Sequence, residues 1–306
     1  MDAIAGLLDG PRARGAFLLK LAFDPPWALR IQDEAPIAVI SAVRGSTLII
    51  AEGEPPVRLN PGDVAIARGP RPYMIADDPE TPVQVIVHPG QGCTTPDGQD
   101  LKLVNSLGTR TWGNAADGGT VLMTGVYESA GEISGRLLRA LPPLIVHRVD
   151  SPLVPLLADE IVKDEPGQEA VLDRLLDLLL IAVLRAYFAR PEAPGWYRAY
   201  ADPVVGPAIR MLHEEPAHPW TIQELAHRIG VSRAALARRF NDLVGEPPMS
   251  FLTSWRIALA ADLLLEPEAT VGSVAPQVGY GSSFALSTAF KRLKGISPQQ
   301  YRVRAT

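Results

Sequence analysis

Two stretches of the chain follow the same pattern about fifty residues apart: TIQELAHRIGVSRAALARRFNDLVG at residues 221–245 and TVGSVAPQVGYGSSFALSTAFKRLKG at residues 270–295. When the two stretches are aligned, matching residues include four pairs: Gly230 and Gly279, Leu236 and Leu286, Phe240 and Phe290, and Gly245 and Gly295. A repeat of this kind predicts two copies of one small structural unit.

Each copy predicts a helix, a turn and a second helix. In the first copy, Thr221 and Glu224 form a Thr-x-x-Glu pattern, the capping box that begins a helix. Gly230 follows where a helix end favours a left-handed residue, and Ser232 can cap the next helix. A short helix, a glycine turn and an arginine-bearing second helix form the arrangement that places a helix in the major groove of DNA.

The second helix of the first copy separates apolar from basic positions. Its apolar positions fall on one face: Leu236, Phe240 and Leu243. Its arginines lie mostly elsewhere: Arg233, Arg238 and Arg239. Arginine can bond to guanine acceptors or neutralise phosphates. Between the copies, residues 249–265 predict a long helix that sets the distance between the units, about 34 Å for successive major grooves on one face.

Residues 220–302 resemble the AraC-type DNA-binding domain. The matching features are Leu225-Ala226, Gly230-Val231-Ser232, Leu236-x-Arg238-x-Phe240, Gly245-x-x-Pro248, Arg256-x-x-x-Ala260, Val278-Gly279-Tyr280, Phe290-Lys291-Arg292, and Gly295-Ile-Ser-Pro298-x-x-Tyr301-Arg302. The resemblance implies base contacts from Ala234, Ala237 and Arg238 in the first unit, and from Ser283, Phe284, Ser287 and Thr288 in the second. It implies contacts to the DNA backbone from Ser232, Arg233, Ser282 and Lys291.

The second unit departs from the family pattern at two positions. Pro276 falls inside its first helix, where a proline costs about 3 kcal/mol. Thr288 stands where the family usually has a long basic residue. We therefore expect Arg238 and the first unit to supply most of the base specificity, while the second unit mainly positions the protein on phosphates. A further hypothesis is a co-regulator that has lost DNA binding through these two departures.

The N-terminal part predicts an all-β barrel. Short β-branched strands at residues 37–43, 46–51, 64–67, 83–88 and 120–127 alternate with turns rich in glycine, proline, asparagine and aspartate. The turn Asn60-Pro-Gly-Asp63 is similar to one in cupin barrels. Together with the following helices and the C-terminal repeat, it resembles the cupin-containing branch of AraC-type regulators. The predicted fold is therefore multidomain, with a cupin-like barrel and following helices before an all-α domain.

The domain limits follow from the same patterns. Residues 1–190 are predicted as the cupin-like sensor and helical dimerisation region, 191–203 as a linker, and 204–306 as the DNA-binding domain. Residues 168–190 predict a helix, and its apolar face over 171–183 is wide enough to be buried on more than one side. A homodimer is therefore expected.

Charge and composition fit a DNA-binding protein without a membrane segment. The chain has 306 residues and a net charge of −5, but residues 204–306 carry 11 basic and 8 acidic residues. Only local basic surface matters for phosphate contact. No run approaches the ~20 apolar residues that span a bilayer, and no secretory signal is evident. The single cysteine fits a reducing compartment, so we expect a cytoplasmic protein.

Candidate sensing residues lie in His88-Pro-Gly-Gln-Gly-Cys93, where an imidazole and a thiol could bind a soft metal or react with an oxidant. An unremarkable loop cysteine is the simpler alternative. Trp27, Tyr73 and Trp112 fit either a ligand cavity or the core.

The chain has no His-x-His pair, and Tyr73 lies near the place of the last cupin metal ligand. No cofactor and no enzymatic activity are therefore expected. A cupin metalloenzyme with an accessory helical domain is the alternative. Expected partners are double-stranded DNA, a second copy of the chain, a small-molecule or redox effector, and RNA polymerase as a candidate.

Overall fold

The computed structural model describes residues 17–101, 105–127, 141–149, 151–190 and 195–305. These residues divide after Ala189 into two compact units. The first unit is rich in β-strands and ends with helices, and the described residues of the second are helical without strands. The predicted order of a β-rich region and an all-α region is confirmed.

Two β-sheets form the first unit. The strands are β1 Phe17–Phe23, β2 Ala28–Ile31, β3 Ile37–Arg44, β4 Thr47–Ala51, β5 Val57–Leu59, β6 Asp63–Arg68, β7 Tyr73–Ala76, β8 Val85–Val87, β9 Cys93–Thr94, β10 Ser106–Gly108, β11 Thr111–Gly113, β12 Thr120–Tyr127 and β13 Leu144–Arg148. Within the described residues, the first sheet has the order β10-β11-β1-β12-β3-β6-β13, and the second has the order β5-β4-β7-β2-β8-β9.

The sheets enclose one apolar core. Leu21, Ile40 and Leu122 from the first sheet are buried together with Ile49 and Ile75 from the second. β12 pairs antiparallel with β1 on one side and with β3 on the other, so it forms the middle of the larger sheet. Burial of facing side chains between two sheets is the arrangement expected of a β-sandwich or barrel.

The turn singled out in the sequence joins β5 to β6. The amide of Asp63 donates to the carbonyl of Asn60 at 2.9 Å, and the amide of Asn60 donates to the Asp63 carboxylate at 2.9 Å. Gly62 has a φ of 87°, in the left-handed region that favours glycine. The predicted turn is thus formed by hydrogen bonds from both of its ends.

Two helices complete the described part of the first unit: α1 Leu153–Glu160 and α2 Gln168–Phe188. The long helix α2 lies directly on β12, since a Cβ atom on Gly125 would come within 2.4 Å of Leu176. Its inner face is buried, whereas Val171 and Leu178 on the other side are 45% and 49% exposed.

The second unit contains eight helices within its described residues. They are α3 Gly195–Ala201, α4 Val205–Glu214, α5 Ile222–Ile229, α6 Arg233–Val244, α7 Pro248–Leu263, α8 Val271–Gln277, α9 Ser283–Lys294 and α10 Pro298–Ala305. None of the helices in the described part of the chain combines the length and apolar character needed to cross a membrane.

Helix α7 joins two small cores. The first core buries Leu236 and Phe240 of α6 and includes Leu252 of α7. The second buries Phe290 of α9 and includes Ile257 of α7. The long helix predicted between the repeats therefore contributes to the cores of both repeats.

The segment predicted as a linker, 191–203, is partly helical. Residues 191–194 lie outside the described residues, but α3 occupies most of the remainder. Ala199 of α3 is fully buried in the core that it shares with α4 and α6. An apolar anchor of this kind makes α3 part of the C-terminal unit. The domain limits themselves stay a prediction.

Candidate nucleic-acid interface

Both repeats form helix-turn-helix units, the first from α5 and α6 and the second from α8 and α9. Gly230 ends α5 with a φ of 80°, and Gly279 lies at the matching turn with a φ of 78°. Serine caps both second helices: Ser232 accepts from the amide of Ala235 at 3.2 Å, and Ser282 accepts from Ala285 at 3.1 Å. These caps satisfy backbone groups that a helix start otherwise leaves unpaired.

The capping box predicted at the first unit is only half formed. Thr221 accepts the amide of Glu224 at 3.1 Å, as predicted. The Glu224 carboxylate instead bonds to His218 and Arg228, each at 2.9 Å. The hydrogen bond from His218, supported by Arg228, lowers the pKa of this carboxyl below its usual value. In the second unit, Thr270 and a serine three residues later form the complete reciprocal box.

On α6 the predicted contact residues point away from the core. Leu236 and Phe240 are fully buried on the inner face. The predicted residues Ser232, Arg233, Ala234 and Arg238 are exposed, and Ala237 is half-buried. Within the described part of the chain, no hydrogen bond or ion pair engages the guanidinium of Arg238. Its donors are therefore available to a ligand.

Arg239 behaves differently from its neighbour. Its guanidinium bonds to the carboxylate of Asp202 at 2.7 to 3.0 Å. The same carboxylate accepts the backbone amides of Val204 and Val205 at the start of α4. Arg239 and Asp202 therefore position α6 on the unit, a role that the sequence pattern did not reveal.

On α9 the predicted residues also face outward. The exposed ones are Ser282, Ser283, Phe284, Thr288 and Lys291, and Ser287 is half-buried. Phe284 is 80% exposed, whereas Leu286 and Phe290 are fully buried on the opposite face. The structure thus groups the predicted contact residues on the outer faces of two second helices.

Pro276 does not abolish the second unit. It lies near the end of α8 and is exposed, and the amide of Val278 still bonds to the carbonyl of Val274 at 3.2 Å. Val274 and Ala275 remain buried in the second core. The missing amide hydrogen therefore falls at a solvent-facing position, where water can bond to the freed carbonyl.

Arg256 of α7 links the two units at the turn of the second. Its guanidinium donates to the carbonyls of Pro216 and His218 at 2.6 and 2.8 Å. A Cβ atom on Gly279 would come within 2.8 Å of the same guanidinium and 2.9 Å of the Ala217 backbone. Close contact at this place requires a glycine, so the turn of the second unit lies against the segment that precedes the first.

The β-rich N-terminal unit contains a cavity of about 440 Å³ between its two sheets. The walls are mainly apolar, and the candidate sensing residue Cys93 lies among them together with Tyr73 and Trp112. Burial and nearby Asp33 raise the pKa of Tyr73 above its ordinary value. Trp27 is instead buried in the core, where it stacks on Phe23.

His88 and Cys93 lie on the same β8–β9 hairpin, but the imidazole bonds elsewhere. Its Nε2 lies 2.9 Å from the Thr94 hydroxyl, and its Nδ1 lies 3.4 Å from the side chain of Gln32. The Cys93 thiol lies 3.8 Å from the carbonyl of Gln91. Within the described residues, no cluster of three or more histidine, cysteine or carboxylate side chains is placed to bind a metal.

Comparison with known proteins identifies the family. A sequence model described as Cupin matches residues 2–189, and one described as Helix-turn-helix domain matches residues 225–304. An AraC-like transcription regulator of Streptomyces lividans is 33% identical over 318 residues, covering 100% of this chain and 99% of that protein. A second one, of Streptomyces antibioticus, is 33% identical over 313 residues, covering 99% of this chain and 98% of that protein.

Among solved structures, the DNA-binding domain of AdpA in complex with a target DNA is 33% identical and covers 34% of this chain and 92% of that chain, with a TM-score of 0.32. The match to the AraC-like regulators covers the whole chain, and both family models fall on the units that the structure shows. The chain therefore belongs to the AraC family of DNA-binding transcription regulators, with an N-terminal cupin domain that senses a signal and C-terminal helix-turn-helix units.

Proposed function

We propose that the outer faces of α6 and α9 contact the operator. Bases are contacted by Ala234, Ala237, Arg238, Ser283, Phe284, Ser287 and Thr288. The DNA backbone is contacted by Ser232, Arg233, Ser282 and Lys291. Most of these side chains are exposed opposite the buried faces of the two helices, and Ala237 and Ser287 are half-buried, which supports the assignment.

Arg238 is the main base contact in this proposal. Its side chain is exposed, and α6 is positioned by the neighbouring pair of Arg239 and Asp202. A free guanidinium on a fixed helix can make two hydrogen bonds to the O6 and N7 atoms of guanine. This is the observation on which the assignment rests.

The phosphate contacts are tested by salt dependence. Duplexes selected by the full chain from random DNA are titrated at several salt concentrations. Replacing Lys291 by Ala should weaken binding about equally for all sequences and reduce the salt slope by about 1, because one fewer counterion is released. An unchanged slope would remove Lys291 from the interface.

Chromatin mapping of the wild type and the Arg238→Ala variant separates this regulator from a co-regulator without DNA contacts.

We further propose that the effector binds in the cavity of the β-rich N-terminal unit. A volume of about 440 Å³ lies within the range of about 300–1,000 Å³ that small-molecule sites occupy. Cys93 in the wall makes an oxidant or a thiol-reactive compound a specific candidate, because a half-exposed thiol can be reached from the cavity. His88 contributes by fixing the hairpin that carries this cysteine.

We propose residues 1–190 as the sensing and dimerisation part, with the outer face of α2 as the contact between two copies. The chain acts on chromosomal DNA in the cytoplasm, with RNA polymerase as a candidate partner. We also propose that it has no catalytic activity. In the alternative, a cupin metalloenzyme, the purified protein would contain stoichiometric iron, manganese or nickel.

A further inference from the structure

Phe284 is the most exposed large apolar side chain in the described part of the chain, at 80%. It occupies the second position of α9, directly after the capping residue Ser282 and the first residue Ser283. The core of the second unit does not need this ring, since Leu286 and Phe290 fill it from the opposite face. The ring is therefore available to a ligand, on the same outer face as the proposed DNA contacts.

The neighbouring side chains on the outer face of α9 are short. Phe284, Ser287 and Thr288 share this face because residues three and four positions apart are neighbours on a helix. The Thr288 hydroxyl donates to the carbonyl of Phe284 at 2.9 Å, so its hydrogen is already used within the helix. The outer face therefore offers an aromatic ring where arginine, asparagine or glutamine would bond to guanine or adenine.

We propose that the second unit recognises its part of the operator through the 5-methyl group of thymine, which Phe284 contacts in the major groove. This inference rests on the proposed placement of α9 in that groove. The first residues of such a helix are the ones that reach base edges. Thymine alone presents a methyl group there, and apolar side chains distinguish it by contact with that methyl.

The two units then differ in the chemistry that they recognise. In the first unit, the outer face of α6 presents the free guanidinium of Arg238, which suits the acceptors of guanine. In the second unit, Lys291 and Arg292 provide charge toward the end of α9, while Phe284 provides apolar contact at its start. The site bound by one copy of the chain is therefore asymmetric, with a G·C pair opposite α6 and an A·T pair opposite α9.

The test removes the methyl group from the DNA. Duplexes are first selected by the full chain from random DNA, and each thymine in turn is then replaced by deoxyuridine, which lacks only the methyl. At one or two positions opposite the second unit, the replacement should weaken wild-type binding about fourfold, the factor that corresponds to about 0.8 kcal/mol for one methyl-sized group. The Phe284→Ala variant should bind the thymine and deoxyuridine duplexes equally.

A matched control separates this contact from a general loss of apolar surface. Val303 of α10 is 75% exposed but lies outside the two second helices, so Val303→Ala should retain the fourfold difference. Thermal unfolding should be unchanged in Phe284→Ala, because the ring is not part of the core. The proposal is overturned if wild type binds every deoxyuridine duplex as tightly as its thymine parent, or if Phe284→Ala shows the same fourfold difference.

The Lys291→Ala variant distinguishes a failure of thymine recognition from a failure of DNA contact by α9. If Lys291→Ala lowers affinity and deoxyuridine has no effect, α9 contacts DNA but does not recognise thymine methyls. If neither change matters, the placement of α9 on DNA is itself wrong. If Phe284→Ala leaves DNA binding and its methyl dependence intact but reduces transcription with purified RNA polymerase, the ring contacts a protein and the proposal is likewise overturned.

Discussion

The guanidinium of Arg239 and the carboxylate of Asp202 form a bidentate ion pair, with nitrogen to oxygen distances of 2.7 to 3.0 Å. Arg239 lies on α6, and Asp202 precedes α4. The pair therefore fixes α6, the second helix of the first helix-turn-helix unit, relative to its supporting helices. Arg238, one position earlier, is exposed and unpaired within the described residues. Of these two adjacent arginines, Arg239 therefore positions the helix, and Arg238 is available to a ligand.

We expect the Asp202 pair to stabilise the C-terminal unit in a pH-dependent way. Burial acts to raise the pKa of Asp202, but hydrogen bonds from Arg239 and from two backbone amides outweigh it and lower the pKa. A lowered folded-state pKa contributes stability above the unfolded value of about 3.9, and that stability is lost as the pH falls through the folded-state pKa.

The measurement is thermal unfolding of wild type and Asp202→Asn between pH 3 and pH 7. At neutral pH, the variant should be less stable by about 1.5 kcal/mol, the lower end of the range for hydrogen bonds to a charged group, because the Arg239 side chain is half-exposed. The difference should shrink below about pH 4. Arg238→Ala serves as the control and should unfold like wild type. A difference that stays constant across this range would show that the carboxylate charge is not responsible.

The two turn glycines should differ in their tolerance of alanine. At Gly230 a Cβ atom has open space, so Gly230→Ala should cost about 1–2 kcal/mol for the left-handed conformation alone. At Gly279 the Cβ would also meet Arg256 at 2.8 Å and the Ala217 backbone at 2.9 Å. Urea unfolding should therefore show a larger loss for Gly279→Ala. Equal losses would mean that the Arg256 contact is not tight.

The outer face of α2 should support a dimer. Val171 and Leu178 are 45% and 49% exposed and seven residues apart, so they lie on one face of the helix. Leu178→Glu should convert the dimer to a monomer in sedimentation at micromolar concentration. Leu265→Glu, at an exposed leucine in the C-terminal unit, is the matched control and should remain dimeric. A monomeric wild type would remove this part of the account.

Cys93 should be the site of any thiol-based response, because it is the single cysteine of the chain. Hydrogen peroxide oxidises a reactive thiolate to a sulfenic acid, which would place a polar group in the wall of the cavity. We expect peroxide to change operator binding by wild type and not by Cys93→Ser, as measured by gel shift and by mass spectrometry of the intact chain. A variant that responds like wild type would assign the response elsewhere.

Local sequence patterns predicted the parts of the structure that depend on neighbouring residues. The serine cap at Ser232 and the turn glycines Gly230 and Gly279 act within a few positions of the chain, so their residue types reveal their roles. The Asn60–Asp63 turn was predictable for the same reason.

Contacts between distant residues were not predictable in this way. Asp202 and Arg239 are 37 residues apart, and Asp202 lies in a segment whose composition indicates a linker. Likewise, the pattern at Glu224 indicates a capping box, but His218 and Arg228 compete for the same carboxylate once the chain folds. The cavity around Cys93 depends on strands from both sheets, so its existence follows only from the fold.

In the proposed interface, the free guanidinium of Arg238 on α6 recognises a base. Its most direct test is the binding of full-length wild type and Arg238→Ala to the selected operator and to duplexes that carry each alternative base pair. We expect the variant to lose about 1–3 kcal/mol of affinity and its preference at a single G·C position, while its preferences elsewhere persist. Unaltered affinity with the same preference at every position would show that Arg238 does not recognise a base.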